Sequence, residues 1–522
     1  MTHHQQNIRK PSSIHQDSAF QITNHVSKFL IGVKIVMQKL ATSMILICLA
    51  FVNVLDANAQ DTYTVKQIKQ DFEHLYERLA AAQYDLYHYT SKEDYDRAFT
   101  ETKSTFTRPM TKLELQKTFQ QFVALAQIAH TRIDFPISDY RSFMQNGGKT
   151  LPIYPTITGT QVLVDEFYGG EQALTSGVEI IKINGTPIRE WLQPIYSYLS
   201  ADNDEILWGF VGQQLPALLW LHEGEKEGYE LTIKDLEGKQ TKLIVATQTS
   251  AQQEHYSLKN SDDSESVTLP REFKMLNNNI AYLKPGPFYN FDGEDIWDTT
   301  SFHQFIDDAF KHFTTNKSQN LIIDLRNNPG GTNSFSDHML AWFADEPFKF
   351  ASDFKVKISP ESTAANAKRL KTSKNKSDVS HQLAEFYSKQ ENGTVFSFPL
   401  PTSAPHPDKH FDGDVYVLIN RFSYSNAVSV AAISKDYGFA TVIGEKTADL
   451  ATTHGAMERF TLPNTGIEVG YPKALIIRPN GDTRPDGVTP DIWLDFAKES
   501  ADALEQVVEL ISSTKSLASI KN

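Results

Sequence analysis

The chain has 522 residues, of which 40% are hydrophobic and 22% are charged, and its formal net charge is −14. These proportions are ordinary for a globular protein, and the length predicts two to four domains. The acidic balance argues against a nucleic-acid-binding protein, because that function needs a basic surface.

Residues 37–59 have the layout of a secretory signal peptide. A lysine lies near the start, residues 44–55 are apolar, and residues 57–59 read Ala-Asn-Ala. This order predicts cleavage before Gln60. The apolar stretch is too short to span a bilayer comfortably. We therefore expect an exported protein, periplasmic or secreted, with no membrane span after cleavage.

Residues 1–36 are polar and do not fit in front of a signal peptide. We interpret them as a mis-annotated or disordered extension and expect the natural start at Met37. The alternative is a genuine cytoplasmic extension that precedes an uncleaved anchor.

The single cysteine, Cys48, lies inside the apolar stretch, so the cleaved chain would contain none. Such a chain has no disulfides, no thiol catalysis and no cysteine-ligated metal. Bulky residues precede Cys48, which argues against a lipoprotein anchor.

Residues 60–149 predict an N-terminal helical domain. Apolar residues recur at helical spacing in "TVKQIKQDFEHLYERLAAAQYDLYHY". A second helix is predicted through "TKLELQKTFQQFVALAQIA", with Thr111 as its N-cap. We expect this helix to end at His130.

Residues 150–265 predict a β module. Short β-like runs such as "TQVLVDEF" and "GYELTIKD" alternate there with turn residues. The piece "GVEIIKINGTPI" resembles the core strand and turn of a PDZ domain, with Asn184-Gly185 as the turn. Any β-hairpin with an Asn-Gly turn is the alternative.

Residues 266–500 predict an α/β core of buried parallel strands joined by helices. "NNIAYLKPGPF", "SQNLIIDLRNNPGG", "DVYVLIN" and "ATVIGEKT" predict strands, while "FHQFIDDAFKHF" and "AVSVAAISKDYG" predict helices. Residues 355–410 form a polar, then proline-rich insertion that either flanks a site or is a surface excursion. Residues 501–522 are predicted to be a C-terminal helix or tail.

Two glycines follow a predicted buried strand in "IIDLRNNPGGTNS". Gly330 and Gly331 let the backbone turn sharply and expose N–H groups. Such groups can stabilise an oxyanion. A tight turn without a ligand is the alternative.

Two serines precede a helix of small residues in "RFSYSNAVSVAA". A serine at that place is usually a helix cap. The unpaired N–H groups of the first helical turn also suit a nucleophile. Ser423 and Ser425 are therefore candidates for either role.

The motifs "NIAYLKPGPF", "LIIDLRNNPGG", "VYVLINRFSYSNAVSVAA…DYGFATVIGEKT" and "DGVTPDI" follow one another in order. In this combination residues 270–495 resemble the core of the S41 serine peptidases. That family includes the C-terminal processing (tail-specific) proteases, the tricorn core protease and the interphotoreceptor retinoid-binding modules. The resemblance implies a core of the ClpP/crotonase type.

The resemblance implies that Ser425 is the nucleophile and Ser423 a supporting residue. It implies an oxyanion hole formed by the N–H of Asn426 and one from Gly330 or Gly331. The processing proteases use a lysine as the base, but Leu450 stands at that position here. Lys446 is a poor substitute.

A histidine is therefore the expected base. His130 resembles the histidine of the His-Thr motif in the tricorn-like and related secreted members, and His454 is the rival. The tricorn-like members orient the histidine with a glutamate, whose position Arg484 occupies here. Asp482 or Asp486 is expected to serve instead; the alternative is that both are turn formers.

The sequence thus predicts an exported S41-like serine endopeptidase that acts on peptides or proteins. Two alternatives stay open: an inactive peptide- or ligand-binding protein, and a hydrolase of small esters or amides. No cofactor and no metal site are expected, because the histidines are scattered and no paired-histidine motif is present. No nucleic-acid partner is expected, and the sequence does not predict the oligomeric state.

Overall fold

The computed structural model describes residues 62–170, 174–260, 271–277, 279–293, 295–371, 379–407, 410–494 and 504–513. The predicted extension (1–36) and signal peptide (37–59) lie outside the described residues. Within these ranges no helix has both the length and the apolar character needed to cross a bilayer. Residues 63–522 form one compact unit.

The N-terminal part is helical, as predicted. Its elements are β1 (Thr62–Tyr63), α1 (Val65–Ala82), α2 (Lys92–Ser104), β2 (Met110–Thr111), α3 (Lys112–Ala124) and α4 (Ile137–Gln145). Thr111 caps α3, as expected: its hydroxyl accepts from the Glu114 N–H, and the Glu114 side chain accepts from the Thr111 N–H. This reciprocal pair explains where α3 begins.

The prediction that α3 ends at His130 is wrong, because α3 ends at Ala124. Gln127 adopts a left-handed conformation with φ of 53°. The next two N–H groups leave the helical pattern: Ile128 donates to the Ser200 hydroxyl and Ala129 to the Asp202 carboxylate. These bonds to another segment compete with helical ones, and His130 consequently lies in an irregular connection.

The N-terminal helices share a core with a strand pair much later in the chain. Ile68, Phe72 and Phe119 pack in one buried cluster with Val469 and Tyr471. The helical part is therefore tied to the C-terminal half by apolar burial, worth about 1.5–3 kcal/mol for each large side chain.

The predicted β module contains a sheet in the order β4-β5-β6-β8-β9, in which β7 pairs with β6. Its strands are β3 (Lys149–Thr150), β4 (Ile153–Ile157), β5 (Val162–Phe167), β6 (Glu179–Ile183), β7 (Thr186–Pro187), β8 (Gly228–Lys234), β9 (Gln240–Ala246) and β10 (Gln248–Thr249). Asn184 and Gly185 form the β6–β7 turn, both with positive φ, as predicted.

Three helices accompany this sheet: α5 (Ile188–Tyr196), α6 (Asp204–Glu223) and α7 (Ser250–Asn260). The 20-residue α6 was not predicted. It packs closely on β4, because a Cβ at Gly212 would lie 2.4 Å from the Pro155 carbonyl oxygen. This approach brings the N-terminal end of α6 to the edge of the site described below.

The α/β core is confirmed. Its sheet has the order β11-β12-β13-β18-β19-β22. Its elements are β11 (Glu272–Asn277), β12 (Ile280–Lys284), α8 (Thr300–Thr315), β13 (Asn320–Asp324), α9 (Asn333–Leu340), β18 (Asp414–Ile419), α12 (Asn426–Asp436), β19 (Thr441–Gly444) and β22 (Ile492–Trp493).

Strands β12 to β22 of this sheet run parallel, and β11 is antiparallel to β12. One face packs against α8, α9 and α12. The other contacts a helical stretch at 504–513 through Val507 and Ile511. All five residues of β13 are buried: the apolar run at 321–323, as predicted, and also the polar end residues Asn320 and Asp324. The carboxyl ends of β13 and β18 consequently lie side by side.

The 355–410 insertion is folded onto the rest of the chain. The elements within or overlapping it are β15 (Asp353–Lys357), α10 (Pro360–Leu370), α11 (Val379–Lys389), β16 (Val395–Ser397) and β17 (Thr402–Ser403). Strands outside it that pair with these strands or extend their sheet are β14 (Phe348–Lys349), β20 (Thr453–Thr461) and β21 (Glu468–Ile477). Strands β16-β15-β21-β20 form an antiparallel sheet. Arg369 of α10 pairs with the buried Glu458 of β20. The insertion therefore buttresses the strand that carries His454.

Candidate active site

Ser425 stands at the junction between β18 and α12. Its backbone has φ of 54° and ψ of −121°, a conformation that a residue with a Cβ rarely adopts. The side chain makes no capping hydrogen bond to α12. Strained residues of this kind persist where surrounding contacts hold them, and they cluster at functional sites. The capping role considered for Ser425 is not the one observed.

Ser423, two residues earlier, is fully buried and holds this turn in place. Its hydroxyl donates to the Leu325 carbonyl at 2.7 Å and accepts from the Asn420 N–H at 3.1 Å. Leu325 follows β13, whereas Asn420 follows β18. Ser423 thus joins the ends of two neighbouring strands.

The Gly330-Gly331 turn lies directly against Ser425. A Cβ at Gly330 would lie 2.5 Å from the Tyr424 carbonyl oxygen and 2.8 Å from the Ser425 Cβ. Gly330 also has φ of 82°, so both space and conformation require glycine there. The Asn328 carbonyl accepts from the Tyr424 N–H at 2.9 Å and ties the two turns together.

Of the three residues predicted for the oxyanion hole, Gly330 is already engaged. Its N–H donates to the Asn328 side-chain oxygen at 2.9 Å. The N–H groups of Gly331 and Asn426 have no acceptor among the described residues. The Asn426 N–H also belongs to the first turn of α12, where the helix dipole favours negative charge. Gly331 and Asn426 therefore remain the candidate donors.

His130 Nε2 lies 3.4 Å from Ser425 Oγ, although 295 positions separate the two residues in the chain. The segment before His130 is fixed by the bonds from Ser200 and Asp202 described above. The segment after it is fixed because Arg132 exchanges two backbone hydrogen bonds with Gly470 of β21. The ring is thus held from both sides.

The His130 ring is 7% exposed, and its Nδ1 has no hydrogen-bond partner among the described residues. Burial lowers the pKa of His130 to about 3, with Arg132 adding to the effect, whereas the nearby His454 carbonyl favours the protonated form. The ring stacks on Tyr424 with centroids 5.6 Å apart. An uncharged imidazole at neutral pH can accept a proton.

Neither predicted orienting carboxylate approaches His130. Asp482 is bound by Arg484, whose hydrogen bonds lower the pKa of Asp482 to about 2. Asp486 forms an ion pair with Lys446. Both aspartates lie on the loop that follows β21, and each is paired with a cation: Asp482 with Arg484 on the same loop and Asp486 with Lys446, which follows β19.

His454 lies on β20, and its ring contacts two aromatic rings of the N-terminal part. It packs against His88 with centroids 4.9 Å apart and against Tyr84 at 5.9 Å. Burial lowers the pKa of His454 to about 4. Both parts of His454 act on His130: the imidazole lowers the pKa of His130 and the backbone carbonyl raises it. Among the described residues His130, and not His454, is the histidine whose ring nitrogen approaches the Ser425 hydroxyl.

Sequence reasoning missed two buried carboxylates beside the serine and the histidine. Asp449 accepts from the Ser425 N–H and, at 2.9 Å, from the Leu450 N–H. Burial raises the pKa of Asp449 to about 7 and that of Asp202 to about 6. The one sequence signal was an acidic residue directly before Leu450, where the processing proteases carry their lysine.

Residues 279–494 match the sequence model of Peptidase family S41. By this match the segment is similar to the S41 peptidases. It contains both turns of the site, whereas His130 comes from outside the matched segment.

The chain is also similar to a protein of Chlamydia muridarum (strain MoPn / Nigg) described as uncharacterized, with 28% identity over 215 residues. That match covers 34% of this chain and 35% of the relative, about a third of its length.

Two solved structures share the fold. The structure of mature CPAF complexed with lactacystin has a TM-score of 0.62 and 17% identity, and the match covers 85% of this chain and 98% of that one. The crystal structure of mature CPAF has a TM-score of 0.58 and 17% identity, covering 82% and 93%. The fold match therefore extends well beyond the S41 core.

A cleft of about 130 Å³ opens beside Ser425, between α6 and the S41 core. Ile206 and Phe210 of α6 line one side, while Pro329, Phe422 and Tyr424 line the other. Asp449 also lines this cleft. The cleft is predominantly apolar, as ligand sites usually are.

Asp449→Asn is expected to change how stability depends on pH. The pKa of Asp449 is higher in the folded chain than its ordinary value of 3.8, so folding is favoured while Asp449 is protonated. The free energy of unfolding should therefore fall as pH rises through about 7. The difference in free energy of unfolding between the parent and Asp449→Asn should fall by about 2–3 kcal/mol from pH 5 to pH 8. Urea unfolding of both proteins at each pH measures this difference.

Asp482→Asn is the control, because the lowered pKa of Asp482 places its titration below pH 5. It should show no such change over the same interval. An equal pH dependence of the parent and Asp449→Asn would contradict the prediction.

Proposed function

We propose that the protein is an exported serine endopeptidase that uses Ser425 as nucleophile and His130 as general base. The observation that carries the proposal is the 3.4 Å approach of His130 Nε2 to Ser425 Oγ. It joins a strained serine on the S41 core to a histidine from the N-terminal part. The distance is slightly long for a hydrogen bond, and such contacts often shorten when substrate binds.

In the first half of the reaction, Ser425 Oγ attacks the carbonyl carbon of the peptide bond while its proton moves to His130 Nε2. The carbonyl oxygen becomes an oxyanion and accepts from the N–H groups of Gly331 and Asn426. The intermediate then collapses, the C–N bond breaks, and His130 returns the proton to the leaving amine. The product is an acyl group esterified to Ser425.

In the second half, water attacks the ester and His130 takes a proton from it. The second tetrahedral intermediate releases the carboxylic acid, and Ser425 Oγ recovers its proton from His130. Protons and bonds balance over the cycle, so no cofactor is required for it.

His130 is oriented without a carboxylate in this proposal. Support comes from the His454 carbonyl near the ring and from Tyr424 stacked on its face. Nδ1 has no hydrogen-bond partner among the described residues, so in the proposed cycle it closes on this carbonyl when substrate binds, and that bond fixes which nitrogen carries the proton. A carbonyl offers less stabilisation to the imidazolium than a carboxylate would.

The proposed substrates are peptides or proteins with an uncharged side chain next to the scissile bond. The apolar lining from Phe210, Phe422 and Tyr424 supports this preference. Two further proposals accompany it: export through the signal peptide at 37–59, and recognition of an extended peptide by the PDZ-like module through strand addition.

Labelling with a fluorophosphonate probe tests the reaction class. We expect the full chain to be labelled once, and mass spectrometry of a digest should locate the adduct at Ser425. Heat-denatured protein is the control, since reactivity depends on the folded site.

Parallel assays with a peptide library and with small aryl esters distinguish the alternatives. Cleavage of internal peptide bonds supports the endopeptidase. Turnover of esters alone would favour a small-molecule hydrolase. An unlabelled, inactive protein that still binds peptides would make it an inactive binding protein and refute the proposal.

A further inference from the structure

Three side chains outside the proposed catalytic pair converge on one point. Asp85 and His88 lie in the connection after α1, and His454 lies on β20. One ligand atom from each lies within 4.8 Å of the other two. The His88 Nδ1 and the Asp85 carboxylate are 3.0 Å apart. Two imidazoles and a carboxylate are donors that suit zinc and similar divalent ions.

His454 gives the clearest indication of what this cluster can bind. The residue is 5% exposed. Neither ring nitrogen is hydrogen-bonded to any residue in the described part of the chain, whereas its backbone carbonyl accepts from Thr453. The His454 ring packs on the His88 ring with centroids 4.9 Å apart, so a largely buried imidazole lies against a second imidazole and an acidic side chain, an arrangement that a shared metal ion would explain.

The connection that carries Asp85 and His88 is fixed independently of any ligand. The Tyr84 N–H donates to the Pro472 carbonyl of β21 at 2.9 Å, and the His88 N–H donates to the Asp85 carbonyl. Asp85 adopts a left-handed conformation with φ of 49°. The backbone therefore already presents both side chains to β20, which lowers the entropic cost of completing a site.

Another histidine cluster, formed by Asp307, His338 and His406, does not share this character. The Asp307 carboxylate accepts from His338 at 2.7 Å and from the Trp342 indole at 3.0 Å. These contacts account for the arrangement as a hydrogen-bond network within the protein. A variant of this second cluster can therefore serve as a control for metal binding at the first.

We propose that Asp85, His88 and His454 bind a divalent transition-metal ion of the zinc class. Ligand atoms around tetrahedral zinc lie about 3.3 Å apart. Small rotations of the half-exposed Asp85 and His88 side chains are enough to reach that spacing. The protein supplies three ligands and leaves the fourth position open to solvent. The sequence predicted no metal because its ligands come from distant segments that only the fold unites.

Occupancy would connect the end of α1 to β20 beside the active site. The backbone carbonyl of His454 approaches His130, so a metal on the His454 ring would restrain a strand that contacts the proposed base. This site is separate from the proposed catalytic chemistry and does not depend on it.

Zinc titration of the full-length Ser425→Ala variant, which avoids self-cleavage, tests the proposal. Isothermal titration calorimetry should give one saturable site, and thermal unfolding followed by circular dichroism should show a higher midpoint with zinc than without it. His88→Ala and Asp85→Asn change exposed side chains and should weaken binding by about 100-fold or more, because loss of an outer-sphere partner alone costs 10–100-fold. His454→Ala should do the same. Cobalt substitution should give the visible absorption of a four-coordinate site.

His338→Ala is the matched control and should bind zinc as the parent does. The proposal is overturned if no saturable binding is found, if His88→Ala and Asp85→Asn bind like the parent, or if His338→Ala is the variant that loses binding. Because Asp85 and His88 are partly exposed, their variants decide the outcome even if His454→Ala fails to fold.

Discussion

Replacing Ser425 with alanine is expected to lower kcat/KM for peptide cleavage by about 10⁴-fold or more and to abolish fluorophosphonate labelling. The hydroxyl is the only part of the side chain that is removed. Alanine retains the Cβ, so the backbone strain at φ of 54° is similar in both proteins. The Ser425 N–H still donates to Asp449, and the turn should keep its shape. We therefore expect kcat/KM to decrease because the nucleophile is missing, while the fold stays unchanged.

Activity and labelling should be measured with far-UV circular dichroism and the thermal midpoint. Ser429→Ala is the matched control. Ser429 lies one helical turn further along α12, where its N–H donates to the Ser425 carbonyl. It should retain activity and labelling. If Ser425→Ala cleaves peptides at more than about one hundredth of the parental rate, another group is the nucleophile.

The core was predictable from the sequence because its signals are local. Uninterrupted apolar runs predicted β13 and β18, and glycines marked the turn at Gly330. Each motif lies within one strand–turn–helix unit, and each strand's carboxyl end meets the same edge of the sheet. The placement of Ser425 beside Gly330 follows from that topology alone.

The surroundings of His130 were not predictable in the same way. Its helix ends early because Ser200 and Asp202, far along the chain, take the N–H groups of Ile128 and Ala129. The expectation of an orienting aspartate rested on nearness in sequence to a family motif. In the fold, Arg484 neutralises Asp482, and a backbone carbonyl approaches the ring instead. Contacts of this kind leave no periodic pattern in a single sequence.

Strand β20 contributes both to the surroundings of His130 and to the proposed metal site. The 355–410 insertion supports this strand through Arg369 and Glu458, and β20 carries both the carbonyl near His130 and the imidazole of the proposed metal site. The insertion was expected to flank a site or to be a surface excursion. Through the Arg369–Glu458 pair the insertion contacts the strand whose His454 carbonyl acts on His130.

Replacing His130 with alanine is expected to lower kcat/KM by about 10³-fold or more, since a positioned base contributes up to about 10⁴-fold. His130→Gln should be equally impaired, because an amide keeps most of the volume but cannot accept a proton near neutral pH. Fluorophosphonate labelling should slow in parallel, as the same proton leaves Ser425 Oγ in both reactions.

The comparison with His454→Ala decides between the two histidines considered as the base. Alanine at 454 preserves the backbone carbonyl near His130, and the lost ring faces His88 and Tyr84. With a chelator present in every assay, so that metal occupancy does not differ between variants, we expect the loss for His454→Ala to be at least about tenfold smaller than for His130→Ala. A greater loss at His454 would assign the proton transfer to that imidazole, and the 3.4 Å contact between His130 and Ser425 would then be structural.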